Sequence, residues 1–178
     1  MDLFYKSFSE LEDIFKSVAT ANIEKKTYDL EISKNGVIKS RNIEFPKNPG
    51  VYIFYVESED VFINDWTDYK EIIKTGPNIN DISDRLVTEN VKPLYLGKEW
   101  ESVSMRLNQH LSEKTNLESK LSAMYLKGFA KHSNSKIKLH IEVYIFNDDN
   151  INSSHRKIVI NAFETLLHMK LKPILGKA

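Results

Sequence analysis

Gly50-Val51-Tyr52-Ile53-Phe54-Tyr55-Val56 is a glycine followed by six strand-prone residues with no polar face. β-branched and aromatic side chains suit a pleated surface, and a run without alternation predicts a strand covered on both sides. Pro93-Leu94-Tyr95-Leu96-Gly97 predicts a second short strand ended by glycine. In KIKLHIEVYIF, residues 136–146, Ile137, Leu139, Ile141, Val143 and Ile145 alternate with Lys136, Lys138, His140, Glu142 and Tyr144. This period of two predicts a third strand with one apolar face.

Upstream, YDLEI alternates Tyr28, Leu30 and Ile32 with polar residues, Asn35-Gly36 supplies a hairpin turn, and VIKSRNI returns. Helical spacing marks Phe8, Leu11, Ile14, Phe15 and Val18 within residues 8–20. It recurs from Ser102 (Val103, Leu107, Leu111) and from Asn116 (Leu117, Leu121, Met124, Tyr125). A last helix is expected from about Ser154 to Leu171, with Ile158, Val159, Ala162, Phe163, Leu166 and Leu167 as its core stripe and Pro173 as its stop. The fold class is therefore α+β: a small, mainly antiparallel sheet flanked by helices. One domain over 1–178 is expected, with a helix-and-hairpin extension (1–47) before a core (48–178) that carries an insertion (57–91).

The chain has 178 residues, 41% hydrophobic and 28% charged, which fits a soluble globular protein and argues against disorder. With no cysteine, disulfides, zinc–thiolate sites and thiol nucleophiles are excluded. No apolar run approaches the roughly 18 residues of a membrane span. The opening MDLFYKSFSELED carries acids where a signal peptide has bases, so a cytoplasmic protein without membrane association is expected. The net charge of zero is a sum of unlike parts. Residues 57–91 hold nine acids against three bases, a local charge of −6. Residues 92–178 hold fourteen bases against eight acids, a local charge of +6. Such asymmetry directs the search for a polyanion-binding half to the C-terminal part.

Six residues there and in the first strand form an ordered set. Tyr52 closes Gly50-Val51-Tyr52, Tyr95 opens Tyr95-Leu96-Gly97, and Lys98 follows directly. Arg106 and His110, four apart, project from one helix face, and Glu164 lies on the last helix. Each tripeptide alone is common, but the set in this order resembles the GIY-YIG nuclease family over about residues 48–178. The Arg106–His110 pair is similar to that of its restriction-enzyme members, and Lys98 to the lysine of its excision-repair subunit. The resemblance implies a magnesium-dependent endonuclease on duplex or branched DNA, of restriction or phage-defence type or a structure-specific repair nuclease. Manganese would substitute for magnesium, and a homodimer is among the assemblies it allows. It implies Tyr52 as general base, Tyr95 orienting the water or phosphate, Arg106 on phosphate and Glu164 as metal holder. Where members commonly carry an asparagine three residues after the helix-ending proline, Gly176 stands here.

The chemistry asks for these residue types independently. Phosphodiester hydrolysis needs an activated nucleophile, positive charge around the phosphate and help for the leaving oxygen. Magnesium held by one carboxylate with waters suits it. Arg106 can fork onto phosphate oxygens, Lys98 can neutralise another, and His110 can shuttle a proton or bind a flanking phosphate, its structural reading being a common helix histidine at a solvent edge. A tyrosine beside cations is expected to have a lowered pKa.

Each residue also has a structural reading: Tyr52 and Tyr95 as strand aromatics, Lys98 and Arg106 as surface charges, Glu164 paired with Lys157 or His168. His132, His140 and His155 lack metal-like spacing. A binding module that kept the scaffold and lost turnover, and a protein-docking module using the acidic insertion, are the competing functions. The insertion is expected to screen or occupy the site.

Overall fold

The computed structural model describes residues 22–33, 35–39, 43–56, 65–69, 92–112, 123–133, 136–147 and 153–175. Its elements are β1 (Ile23–Ser33), β2 (Gly36–Lys39), β3 (Gly50–Val56), β4 (Lys92–Glu99), α1 (Val103–Leu111), α2 (Leu126–Ser133), β5 (Ile137–Phe146) and α3 (Ser153–Leu171). The strands form one five-stranded sheet in the order β2-β1-β5-β3-β4, antiparallel at every step. The α+β class and the antiparallel sheet agree with the sequence reading. The expected helix over 8–20, Gly176 and most of the insertion 57–91 lie outside the described residues.

The sheet is assembled around its last strand. β5 takes the middle place, pairing with β1 from Ile23↔Phe146 to Ile32↔Ile137 and with β3 from Gly50↔Ile145 to Val56↔Leu139. The first hairpin is therefore continuous with the sheet. β1 also starts five residues before the expected Tyr28, because Lys25, Lys26 and Thr27 make backbone pairs that need no apolar side chain. Ser33↔Gly36 closes the hairpin, so Gly36 begins the return strand instead of sitting within the turn.

Each face of the sheet carries its own core. Tyr52, Phe54, Ile141 and Val143 pack under Val103 and Leu107 of α1 and Leu126 and Phe129 of α2. Val51, Ile53, Leu96 and Phe146 pack under Val159 and Ile160 of α3, with Phe163, Leu167 and Leu171 alongside. β3 is thus covered on both sides, as its unbroken apolar run requires, and each such side chain contributes about 1.5–3 kcal/mol by leaving water. Gly50 is needed for closeness: a Cβ there would collide with the Tyr144 carbonyl oxygen and lie 3.2 Å from Val103 Cγ2. On α3 the inward stripe is rotated from the expected one, leaving Ile158 and Leu166 exposed while Ile160 and Leu171 turn inward. Successive residues of a helix advance by about 100°, so a wide apolar stripe permits either setting until the partner surface chooses.

Three junctions place the site. At the start of α1, Ser102 makes no side-chain cap; Val103 N–H donates to the Asn48 carbonyl (3.1 Å) and Ser104 N–H to the Pro46 carbonyl (2.9 Å). The proline-rich approach to β3 thereby satisfies the orphan donors of the helix and fixes it against the strand. Met124 and Tyr125 precede α2 and are not part of a helix, since Tyr125 has a left-handed φ of 51°. After α3, Lys172 turns at φ 49°, and Ile174 and Leu175 donate to the Pro93 (2.9 Å) and Leu94 (2.8 Å) carbonyls on the edge strand β4. Residues 65–69 of the acidic insertion form a helical turn whose Trp66 and Tyr69 pack against Phe129 in tilted and edge-on contacts, with centroids 5.1 and 5.6 Å apart. Among the described residues no helix is long and apolar enough to cross a membrane.

Candidate functional site

Tyr52 faces Gly97 across the β3–β4 ladder. A Cβ on Gly97 would lie 2.6 Å from the Tyr52 hydroxyl and 2.9 Å from Tyr95 Cε1, so the phenol rests on the bare backbone that only glycine offers. The second tripeptide therefore serves the first. Tyr95 sits two residues from Gly97 on the same face, its ring centroid 6.3 Å from that of Tyr52 and 4.8 Å from His110.

From α1, His110 Nε2 lies 3.0 Å from the Tyr52 hydroxyl. The other ring nitrogen, Nδ1, accepts the backbone N–H of Met124 at 3.1 Å. His110 is fully buried, and burial, with Arg106 adding to it, holds its pKa well below the ordinary value. A neutral imidazole whose Nδ1 accepts must carry its proton on Nε2, so His110 donates to Tyr52. Arg106, one turn earlier, also hydrogen-bonds Tyr52, and its guanidinium is steadied by Gln109 Oε1. Two N–H donors thus converge on one phenolic oxygen, an arrangement suited to a developing phenolate.

Burial decides the resting state. It is the largest influence on Tyr52, followed by Tyr95; together they push the phenol well above its ordinary value against the pull of Arg106. The expected lowering of the Tyr52 pKa is therefore absent: with no solvent contact, loss of hydration outweighs one neighbouring guanidinium. Burial also sets aside both the solvent-edge structural reading of His110 and its expected role on a flanking phosphate, because a neutral, completely enclosed imidazole can neither meet solvent nor bind a phosphate as a cation. Tyr95 and Arg106 are partly exposed and form the accessible side of the cluster.

Lys98 and Glu164 form a second group. Lys98 is paired opposite Val51 and, being adjacent to Gly97, projects from the other face of β4, beneath α3. There its Nζ bonds Glu164 Oε2, with both side chains mostly covered. Glu164 thus finds a cation on the sheet beneath its helix, Lys98 of β4. The six candidates form two groups, Tyr52–Tyr95–Arg106–His110 and Lys98–Glu164, on opposite faces of the sheet and joined through β4.

Among the described residues no three or more His, Asp or Glu side chains are arranged to hold a metal ion. Glu164, the carboxylate among the six candidates, has an oxygen taken by the Lys98 ammonium; magnesium, which keeps most of its waters, can accept a single protein carboxylate once such a pair opens. Sequence reading missed Gln109 and the Met124 N–H. Gln109 was within reach, being three residues from Arg106 on the same helix. Met124 carried no signal, since its role is played by its backbone.

No protein-family model matches the chain, and no curated protein or solved structure matches it either.

Proposed function

We propose that this protein is a GIY-YIG-type endonuclease that hydrolyses DNA phosphodiester bonds with magnesium held at Glu164. The observation that carries the reading is the meeting at the Tyr52 hydroxyl of the glycine of the second tripeptide (2.6 Å from its Cβ position), His110 Nε2 (3.0 Å) and Arg106. Three segments separated in sequence converge on one oxygen, and the ordered spacing of the motifs has a physical purpose if that oxygen takes a proton.

In this reading a phosphate arriving at β4 meets Tyr95 and the Arg106 fork first, because these are the accessible members. Tyr52 first gives its own proton to solvent as its hydroxyl is uncovered, with His110 Nε2–H and Arg106 stabilising the phenolate, and that phenolate then accepts the proton of the attacking water. His110 keeps its proton throughout, because its Nδ1 is held as an acceptor by Met124. A base must come within about 2.6–3.2 Å of the proton it takes, so the reaction requires side-chain movement that uncovers the Tyr52 hydroxyl. Glu164 would hold magnesium, which when bound would supply positive charge to a phosphate that reaches round the edge strand β4 from the Tyr52 face. Lys98, released from Glu164, would neutralise a phosphate oxygen.

Cleavage of supercoiled plasmid and of branched oligonucleotides with magnesium tests the proposal. Activity should appear with magnesium or manganese and vanish in Glu164→Gln and Tyr52→Phe. Intact linear, supercoiled and branched DNA under these conditions would refute it. A second reading, a DNA-binding module without turnover, is favoured by the complete burial of Tyr52 and His110. It predicts salt-dependent binding of the same DNA with no cut.

A further inference from the structure

Two tryptophans are present, and they differ sharply: Trp66 is fully buried, whereas Trp100 is 45% exposed. Trp100 stands in the turn between β4 and α1. Its own N–H donates to Glu99 Oε1 (2.8 Å), as does that of Glu101 (3.3 Å), so the backbone that presents the indole is fixed. Lys98 Nζ lies 6.0 Å and Lys157 Nζ 5.4 Å from the ring centroid, one from β4 and the other from α3. Lys98 also bonds Glu164. The result is a large aromatic side chain held at the surface, with two ammonium groups poised over its ring and adjoining the carboxylate assigned to the metal.

We propose that Trp100, Lys98 and Lys157 form a stacking subsite for an unpaired nucleobase, making single-stranded or locally opened DNA the preferred ligand. The inference rests on the nuclease reading for its place beside the cleavage centre, but base stacking itself does not require turnover. Charge alone does not account for the patch. Lys98 is already bonded to Glu164, and Glu99 and Glu101 flank Trp100 in the chain, so the two lysines give a polyanion only a modest electrostatic gain there. A planar base that displaces the two flexible ammonium groups from the ring gains from the indole face whatever its sequence, and the displaced lysines meet its phosphates. An acidic peptide offers carboxylates to the same lysines and nothing for the ring.

The test is binding of a 5′-labelled single-stranded oligodeoxynucleotide in EDTA, where turnover does not intervene, read by anisotropy and by tryptophan fluorescence. Stacking should quench the exposed Trp100 and leave buried Trp66 as a constant background. Trp100→Ala should weaken binding about 5- to 150-fold, while Trp100→Phe, which keeps a ring, should recover most of the affinity. Lys157→Gln should lower the dependence of log Kd on log salt by about 0.7. Fully paired duplex without ends or mismatches should quench little, and poly-glutamate should not compete. Unchanged affinity in a folded Trp100→Ala, equal quenching by intact duplex, or displacement by poly-glutamate would each overturn the proposal. A protein that cleaves DNA but shows any of these loses the stacking subsite and keeps the nuclease reading. One that stacks single strands and never cleaves does the reverse.

Discussion

Acid should destabilise this protein through a single imidazole. His110 is fully buried, accepts the Met124 N–H and donates to Tyr52, and its pKa is held well below the ordinary value by burial and by Arg106. In the unfolded chain the same histidine binds a proton near pH 6.5. Below that pH the unfolded state carries one proton more than the native state at this residue. Stability conferred by the neutral histidine is therefore present above about pH 6.5 and is lost as the pH falls towards the depressed native value. One proton is worth about 1.4 kcal/mol per pH unit, so the loss reaches about 2 kcal/mol by about pH 5, a large part of a typical domain's stability. The measurement is urea denaturation of the wild type and of His110→Gln at several pH values from about 7.5 to about 5. The glutamine amide can still donate towards Tyr52 but cannot take up a proton. The variant should begin less stable, by about 1–3 kcal/mol, because the Met124 N–H loses a fitted acceptor. Its stability should then fall less steeply with acid, by one proton's worth of slope. The other four histidines and all carboxylates remain in both proteins, so the difference isolates His110. Identical slopes in the two proteins would refute the assignment of a buried, neutral imidazole.

The two strand glycines should differ in cost. Gly97→Ala meets the Tyr52 and Tyr95 rings, which can give, at about 1–3 kcal/mol, whereas Gly50→Ala meets the Tyr144 carbonyl and should prevent stable folding; equal urea midpoints would contradict this. Phe129→Ala removes the surface against which Trp66 and Tyr69 pack and should cost about 3–5 kcal/mol with a red-shifted Trp66 emission, as read by fluorescence-monitored unfolding. Breaking the Lys98–Glu164 pair by Glu164→Gln should change thermal stability little, by about 0–1 kcal/mol, because Lys98 retains access to solvent; a large drop in calorimetry would make the pair chiefly structural.

The distribution of the site over two faces was written in the sequence more plainly than the motif suggested. Gly97 and Lys98 are neighbours in a strand, and neighbours in a strand point to opposite faces. Tyr95 and Gly97 had to share one side, and Lys98 had to take the other. The Arg106–His110 spacing likewise fixed a shared helix face, which does bring both residues to Tyr52. What the spacing did not contain was depth. Two residues on one helix face can both be wet, or one can be enclosed, as His110 is, depending on what packs over them.

By itself the sequence determined the elements and their apolar faces, because strand and helix periodicity are local consequences of backbone geometry. It determined the α+β class and the need for glycine where two strands or a ring approach closely. Tertiary structure alone decided that the last strand, β5, enters the middle of the sheet, since strand partners are chosen by non-local hydrogen bonding between segments far apart in the chain. It also decided which stripe of α3 turns inward, and hence that Glu164 meets Lys98. Finally, it set the protonation of His110 and Tyr52, because pKa values follow burial and neighbouring charge, and both are properties of the packed molecule.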